Sequence, residues 1–215
     1  MDNQSYIQHN SEYVQSGKFE IELQHHKNHS ENHLNYMYQD DTPHGRNLDE
    51  HKFNIAVDVG SGTGWFANYA VEVRGFEKVY AIEPSVAAVD IAKKIYPQQN
   101  KVEWIHGFAE EEISKLDLKE PTFFSFMCIL SHMENELAAK ILESIDSVAP
   151  PQSLISFSEP YGRESHNHLW HIREKQWWEN LLQNWKFRFD TKYVFGAGSW
   201  KGITAIKNDS NKMSS

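Results

Sequence analysis

The residues best able to do chemistry stand in one glycine-rich stretch, where Asp58 precedes Gly60, Gly62 and Gly64. Before the glycines, residues 55–59 are apolar apart from Asp58, which is typical of a strand covered on both faces of a parallel sheet. Glycine lets the backbone turn sharply and approach a ligand closely. The helix predicted next directs free N–H groups and the positive end of its dipole at whatever lies over the turn. This stretch therefore predicts a ligand-binding strand, turn and helix.

The spacing of the glycines distinguishes two kinds of nucleotide site. A dinucleotide fingerprint, G-x-G-x-x-G, needs a glycine where Trp65 stands, so a nicotinamide oxidoreductase is disfavoured. The arrangement Asp58-x-Gly60-x-Gly62-x-Gly64 resembles the first motif of the class I S-adenosylmethionine-dependent methyltransferases. The resemblance implies a methyltransferase in which Asp58 and the loop hold the amino-acid tail of S-adenosylmethionine. The loop residues implied are Gly60, Ser61, Gly62 and Gly64.

Further cofactor contacts are expected after the second and third predicted strands. Glu83 follows the glycine turn at about the spacing of a ribose-binding acid, and a carboxylate can accept from two hydroxyls at once. The alternative is that Glu83 only caps the next helix. The resemblance implies adenine contacts from Phe108, Ala109 and Glu110. Because Phe108 stands where the family commonly has aspartate, the contact could come from Glu110, a backbone amide or the Phe108 ring, and Glu110 could equally be a helix-terminal acid.

The catalytic candidates follow the fourth predicted strand and the fifth. Methyl transfer to a hydroxyl needs an aligned acceptor and removal of its proton. His132 is the first candidate base because imidazole titrates near neutrality, although it could instead order the cofactor. Its neighbour Ser131 is a cofactor-binding candidate, and His168 is the second candidate base.

Polar and aromatic residues after the fifth predicted strand suggest the acceptor site. Rings beside polar groups suit a sugar or another flat polar molecule. The three histidines of residues 166–171 lack an accompanying carboxylate pattern, so no metal is predicted. The substrate-binding candidates are Glu159, Tyr161, His171 and Arg173.

The order of apolar runs and helical periodicities predicts five strand–helix units and a closing hairpin. Right-handed crossovers place the first strand centrally. The resemblance implies an α/β fold, a three-layer Rossmann-like sandwich whose seven-stranded, mostly parallel sheet has an antiparallel terminal strand and the order 3-2-1-4-5-7-6. Residues 1–50 are expected to form a helical segment or lid, 51–207 the methyltransferase domain and 208–215 a disordered tail. Among the predicted elements are a fourth strand over 122–130, a last helix over 174–185 and final strands over 186–195 and 199–207.

Composition narrows the choice of partners. The 215 residues carry a net charge of −9, which argues against a nucleic-acid partner, and the single cysteine excludes an internal disulfide. No apolar run of membrane-spanning length or signal-peptide pattern is present, so the sequence predicts a cytoplasmic protein without membrane contact.

The main hypothesis is O-methylation of a small polar acceptor such as a sugar, glycan or related metabolite. A protein or nucleic-acid methyltransferase and a non-catalytic cofactor-binding partner subunit remain alternatives. The acceptor and the oligomeric state are not predicted.

Overall fold

A computed structural model describes residues 51–97, 99–127, 129–160, 171, 173–189, 193–195 and 198–209. The predicted lid (1–50), Tyr161, His168 and the end of the predicted tail lie outside these ranges. The strands are β1 (Ile55–Val59), β2 (Lys78–Glu83), β3 (Val102–His106), β4 (Thr122–Phe126), β5 (Leu154–Pro160), β6 (Trp185–Phe189), β7 (Tyr193–Phe195) and β8 (Gly198–Lys207). The helices are α1 (Trp65–Glu72), α2 (Val86–Ile95), α3 (Ala109–Glu112), α4 (Asn135–Val148) and α5 (Lys175–Leu181), with 3-10 turns at Ile113–Lys115 and Leu130–His132.

The strands form one mixed sheet flanked by helices. Its order is β3-β2-β1-β4-β5-β8-β6, and the short β7 pairs with β8. β1, β2 and β3 run parallel, as do β4 and β5, whereas β8 is antiparallel to β5, β6 and β7. Apart from β7, this is the predicted seven-stranded order, because the last long strand lies between the fifth and the sixth. The predicted fold class is confirmed.

The chain divides into two compact units, the first ending at Ala109 and the second beginning at Glu110. In the first unit four of the five β1 residues are buried, as the apolar run predicts. α2 begins at a serine cap, where Ser85 Oγ accepts a hydrogen bond from the Ala88 N–H. Trp104 of β3 stacks on Tyr96 with their ring centroids 6.5 Å apart. Hydrophobic burial on both faces of the parallel strands therefore holds the glycine turn at the sheet.

The second unit is built on an aromatic core. All five residues of β4 are buried, and Phe157 of β5 stacks on Trp178 of α5 with ring centroids 4.6 Å apart. α4 buries one face of its helix, at the spacing i, i+3, i+4, i+7 expected of an amphipathic helix. Those residues are Ala138, Ile141, Leu142 and Ile145. At 14 residues α4 is the longest helix in the described ranges, and none of those helices is long and apolar enough to cross a membrane.

Two boundaries differ from the sequence expectation. β4 ends at Phe126 rather than at residue 130, because Leu130–His132 closes into a 3-10 turn. The last helix ends at Leu181, and Trp185, expected in that helix, instead begins β6. Its indole N–H bonds to Asp146 Oδ1 at 2.7 Å and its backbone pairs with Lys207. Such tertiary partners override a local helical pattern.

Candidate cofactor and catalytic sites

The glycine turn between β1 and α1 has left-handed backbone at each of its three glycines. The φ angles are 67° at Gly60, 53° at Gly62 and 79° at Gly64. Such angles cost little for glycine but disfavour other residues. The amides of Gly60 and Ser61 both donate to the Ile82 carbonyl oxygen, at 2.8 and 3.0 Å. The turn is therefore fixed to β2.

Two of these glycines meet different surroundings. A Cβ added at Gly64 would overlap the Trp104 ring and lie 3.1 Å from the Ala92 Cβ, so this glycine is needed for packing. A Cβ added at Gly62 would meet no atom of the described residues within 4 Å. The Gly62 backbone therefore borders open space that a ligand could enter.

Glu83 ends β2 with its carboxylate held on both oxygens. Oε2 accepts from the Gly62 N–H and Oε1 from the Ser85 N–H, each at 2.9 Å. Glu83 is buried, and burial raises the pKa of its carboxyl, while these amides and the nearby His106 act in the opposite direction. Each carboxylate oxygen can accept a second hydrogen bond. Glu83 thus offers two fixed acceptor oxygens. Its bonds also connect the glycine turn to the start of α2.

Asp58 lies in β1 and is almost fully buried. Its carboxylate accepts a hydrogen bond from the backbone N–H of Ala67 in the first turn of α1. Its Oδ2 is buried and finds no hydrogen-bond donor among the described residues. Burial, and secondly the negative charge of Glu83, raise the pKa of Asp58 from its usual 3.8 to about 8. A buried, unpartnered acidic oxygen beside another acid is a site that favours a cation.

The segment after β3 is linked to the end of β2 by a backbone hydrogen bond. The Gly107 N–H donates to the Glu83 carbonyl oxygen at 3.1 Å, which places Phe108 and Ala109 directly after this link. Phe108 is half-buried and Ala109 is buried. His106 is exposed, and its Nε2 lies 3.1 Å from the Pro84 carbonyl oxygen.

The first unit therefore brings most of the predicted cofactor residues to the carboxyl ends of β1, β2 and β3. The carboxylate oxygens of Glu83 and Asp58 can accept hydrogen bonds from a ligand that carries hydroxyl groups and a positive charge. The unpartnered Asp58 Oδ2 suits an ammonium group, and the open space at Gly62 admits the ligand near the Glu83 carboxylate. S-Adenosylmethionine has both groups, so these residues fit the cofactor that the motif implies.

The second unit contains the remaining predicted residues that the structure describes. Glu110 begins this unit, and its carbonyl oxygen accepts from Ser144 Oγ at 3.1 Å. Ser131 is buried, and its Oγ has no hydrogen-bond partner within the described part of the chain. His132 is exposed, yet partial desolvation and, after it, the neighbouring His171 lower its pKa. At neutral pH its imidazole is uncharged and can accept a proton.

The structure gives the predicted acceptor residues different environments. Glu159 lies in β5, where its backbone pairs with Lys201. His171 is half-buried, and its N–H donates to the Ser131 carbonyl oxygen at 2.7 Å. Arg173, expected to orient the acceptor, is buried and hydrogen-bonds to the chain itself. Its geometry suits a structural contact better than an open substrate-binding position.

Sequence reasoning missed two backbone groups that shape the site. The Ser85 N–H bonds to Glu83, and the Ala67 N–H bonds to Asp58. Glu83-Pro84-Ser85 carried a detectable signal, since serine before an apolar run is a common N-cap. Nothing in the residue type at Ala67 could identify its amide as a partner of Asp58.

The comparisons with known proteins agree with this geometry. Residues 56–152 match a family model described as a methyltransferase domain. The methyltransferase domain of bacterial CtHen1 has a TM-score of 0.59 and 14% identity, with 75% of this chain and 95% of that chain covered. Magnesium protoporphyrin IX methyltransferase from Synechocystis PCC 6803, solved with bound S-adenosylmethionine, has a TM-score of 0.56 and 14% identity, with coverages of 85% and 80%.

A third structure is longer than the matched region. Mitomycin 7-O-methyltransferase has a TM-score of 0.55 and 16% identity, with 76% of this chain but only 52% of that chain covered. The TM-scores of these three structures indicate a shared fold. No curated protein matches the sequence.

The family match, the strand order and the acids beside the glycine turn lead to the same class. The prediction made from the glycine motif is thereby confirmed at the level of the fold. Residues 56–152 match a methyltransferase domain model, and the chain has the class I, Rossmann-like fold that these methyltransferase structures share.

Proposed function

We propose that this chain binds S-adenosylmethionine in its first unit and transfers the methyl group to a hydroxyl of a small polar molecule, such as a sugar or related metabolite. The observation that carries the proposal is the pair of buried acids beside the open Gly62 position. Glu83 would accept from the ribose hydroxyls on its two fixed oxygens. The unpartnered Oδ2 of Asp58 would accept from the ammonium group of the amino-acid tail.

The glycine turn and the segment after β3 would complete the cofactor site. Backbone of left-handed conformation at Gly60 and Gly62 lets the chain approach the ligand without an intervening Cβ. Phe108, half-buried after the Gly107 link to β2, would lie against the adenine ring, and the small Ala109 would leave room for it.

The bound cofactor supplies a methyl group already activated by the positive charge on sulfur. The protein must therefore position the acceptor and take up its proton. We assign the proton transfer to His132, whose lowered pKa keeps the imidazole neutral near pH 7. The hydroxyl proton would pass to a ring nitrogen as the new carbon–oxygen bond forms. Since His132 is exposed, the resulting imidazolium can return the proton to solvent.

Two observations support a small acceptor. The net charge of −9 disfavours a polyanionic partner. Two structures of the same fold are named for small molecules, magnesium protoporphyrin IX and mitomycin, and the second name specifies transfer to oxygen. These names support the class of acceptor and leave the sugar assignment to experiment.

The first experiment is transfer of radiolabelled methyl from S-adenosylmethionine into a cell extract separated into small-molecule, glycan, protein and nucleic-acid fractions. We expect label in the small-molecule or glycan fraction. His132→Ala should bind the cofactor with unchanged Kd and lose most of the transfer, whereas Glu83→Ala should lose binding. Label in protein or nucleic acid would overturn the acceptor assignment. Cofactor binding without label in any fraction would favour a partner subunit that lacks turnover.

A further inference from the structure

Arg173 is a charged residue buried in the second unit, with 8% of its surface exposed. Its Nη1 donates to the Leu130 carbonyl oxygen at 2.7 Å and its Nη2 to the Met133 carbonyl oxygen at 2.5 Å. Its Nε donates to Asn135 Oδ1 at 3.0 Å, at the start of α4. The guanidinium thus contacts three points of one short segment through neutral oxygen acceptors.

These contacts lie on both sides of Ser131 and His132, the candidate site residues of this turn. Leu130 immediately precedes Ser131 and His132, and Met133 follows them. The Ser131 carbonyl oxygen between those two contacts is bonded by the His171 N–H, and the His171 carbonyl oxygen accepts from Arg173 Nη1 at 3.3 Å. His171 and Arg173 therefore hold the turn through the carbonyl oxygens of three of its residues, Leu130, Ser131 and Met133.

The guanidinium is itself held in place by an aromatic ring. Its central carbon lies 4.9 Å from the centroid of the Trp177 ring and 5.9 Å from that of Trp178. Trp178 is fully buried and stacks on Phe157 of β5. These cation–π contacts and the hydrogen bonds together restrict the position of the guanidinium, and its position determines where its donors point.

We propose that Arg173 is a positioning residue, which fixes the turn bearing Ser131 and His132 for methyl transfer instead of contacting the acceptor. This inference rests on the proposed function for its catalytic meaning. A lysine could not replace the arginine, because one ammonium group cannot reproduce a planar fork that reaches the carbonyl oxygens of Leu130 and Met133 together. Loss of the fork would leave buried carbonyl groups without donors and free the turn to move.

The test compares Arg173→Lys with Arg188→Lys, a matched change at an exposed position of β6. The first readout is hydrogen exchange of the His171 amide, which reports the bond to Ser131 independently of catalysis. We expect exchange about tenfold or more faster in Arg173→Lys, and unchanged exchange in Arg188→Lys. The NMR titration of the His132 imidazole should move toward the ordinary pKa only in Arg173→Lys, as the partial desolvation is lost.

The second readout is transfer from S-adenosylmethionine into the small-molecule fraction of the extract. Arg173→Lys should lower the rate at least tenfold while the Kd for S-adenosylmethionine stays within twofold. Unchanged exchange and titration in Arg173→Lys would overturn the inference, whatever the rate. Altered exchange with no transfer by the unmodified protein would refute the proposed function and leave the positioning of the turn intact.

A milder variant covers the case in which Arg173→Lys does not fold. Asn135→Ala removes one acceptor of the guanidinium at an exposed residue, so the fold should survive. We expect a smaller acceleration of His171 exchange in this variant, about threefold. Exchange identical to that of the unmodified protein would show that the Asn135 contact does not help to hold the turn, and would count against the inference.

Discussion

The raised pKa of Asp58 predicts how cofactor affinity changes with pH. With a pKa of about 8, roughly a tenth of the Asp58 carboxyl groups are ionised at pH 7 and about a hundredth at pH 6. An ammonium group binds the ionised form. The affinity for S-adenosylmethionine should therefore rise about tenfold per pH unit as pH increases toward 8, equivalent to about 1.4 kcal/mol per unit.

The structure also predicts that binding at pH 7 releases a proton. Because about nine in ten Asp58 groups are protonated before binding, formation of the ion pair should release close to one proton per site. Asp58→Asn keeps the size of the side chain and removes the titration. This variant should bind more weakly, with an affinity that no longer follows this pH dependence.

Isothermal titration calorimetry can measure both effects. Kd is determined between pH 6.0 and about 7.5, below the range near 8 in which α-amino groups titrate. Two buffers that differ in ionisation enthalpy give the number of protons released. A pH-independent Kd, or the same dependence in Asp58→Asn, would refute the assignment of Asp58 to the cationic tail.

Three other predictions test the first unit. Gly64→Ala should lower the free energy of unfolding, measured in urea, by about 2–4 kcal/mol, because the new Cβ meets Trp104 and φ is left-handed. Gly62→Ala should lower it by only about 1 kcal/mol and should chiefly weaken cofactor binding. Equal losses of stability in the two variants would contradict this distinction. Glu83→Gln should raise the cofactor Kd at least tenfold because an amide nitrogen cannot accept from ribose, and an unchanged Kd would exclude Glu83 from the ribose site. The contribution of the raised Asp58 pKa to stability is fully present below pH 3.8 and is lost as pH rises through about 8. The free energy of unfolding of Asp58→Asn, measured in urea, should therefore increase relative to that of the unmodified protein across this range. A constant difference between the two proteins would contradict the prediction.

The sequence predicted the strands and the turn that carry the proposed cofactor residues, because these elements follow from local patterns. The acid, the glycines and Glu83 follow directly from strand ends whose apolar runs are easy to recognise. Conversely, the role of Arg173 depends on carbonyl oxygens some 40 residues earlier, at Leu130 and Met133. Backbone acceptors have no residue-type signature, so the sequence alone does not predict these contacts of Arg173.

Two element boundaries predicted from the sequence were wrong, at the end of β4 and at Trp185. The apolar run through Leu130 continues the pattern of β4, but the chain closes into a 3-10 turn after Phe126. Trp185 fits the helical period that precedes it, yet its bond to Asp146 and its pairing with Lys207 place it in β6. At Trp185 contacts distant in sequence decided between two locally acceptable conformations.

The different surroundings of Gly62 and Gly64 have an evolutionary consequence. If the proposed function holds, a descendant of this chain that lost methyl transfer would still need glycine beside Trp104, because the fold itself requires it. The position at Gly62 would be under weaker selection, with only a modest backbone preference to preserve it. Part of the motif can thus outlast the activity, and an inactive paralogue would be recognised sooner by substitution at Gly62 than by loss of the whole signature.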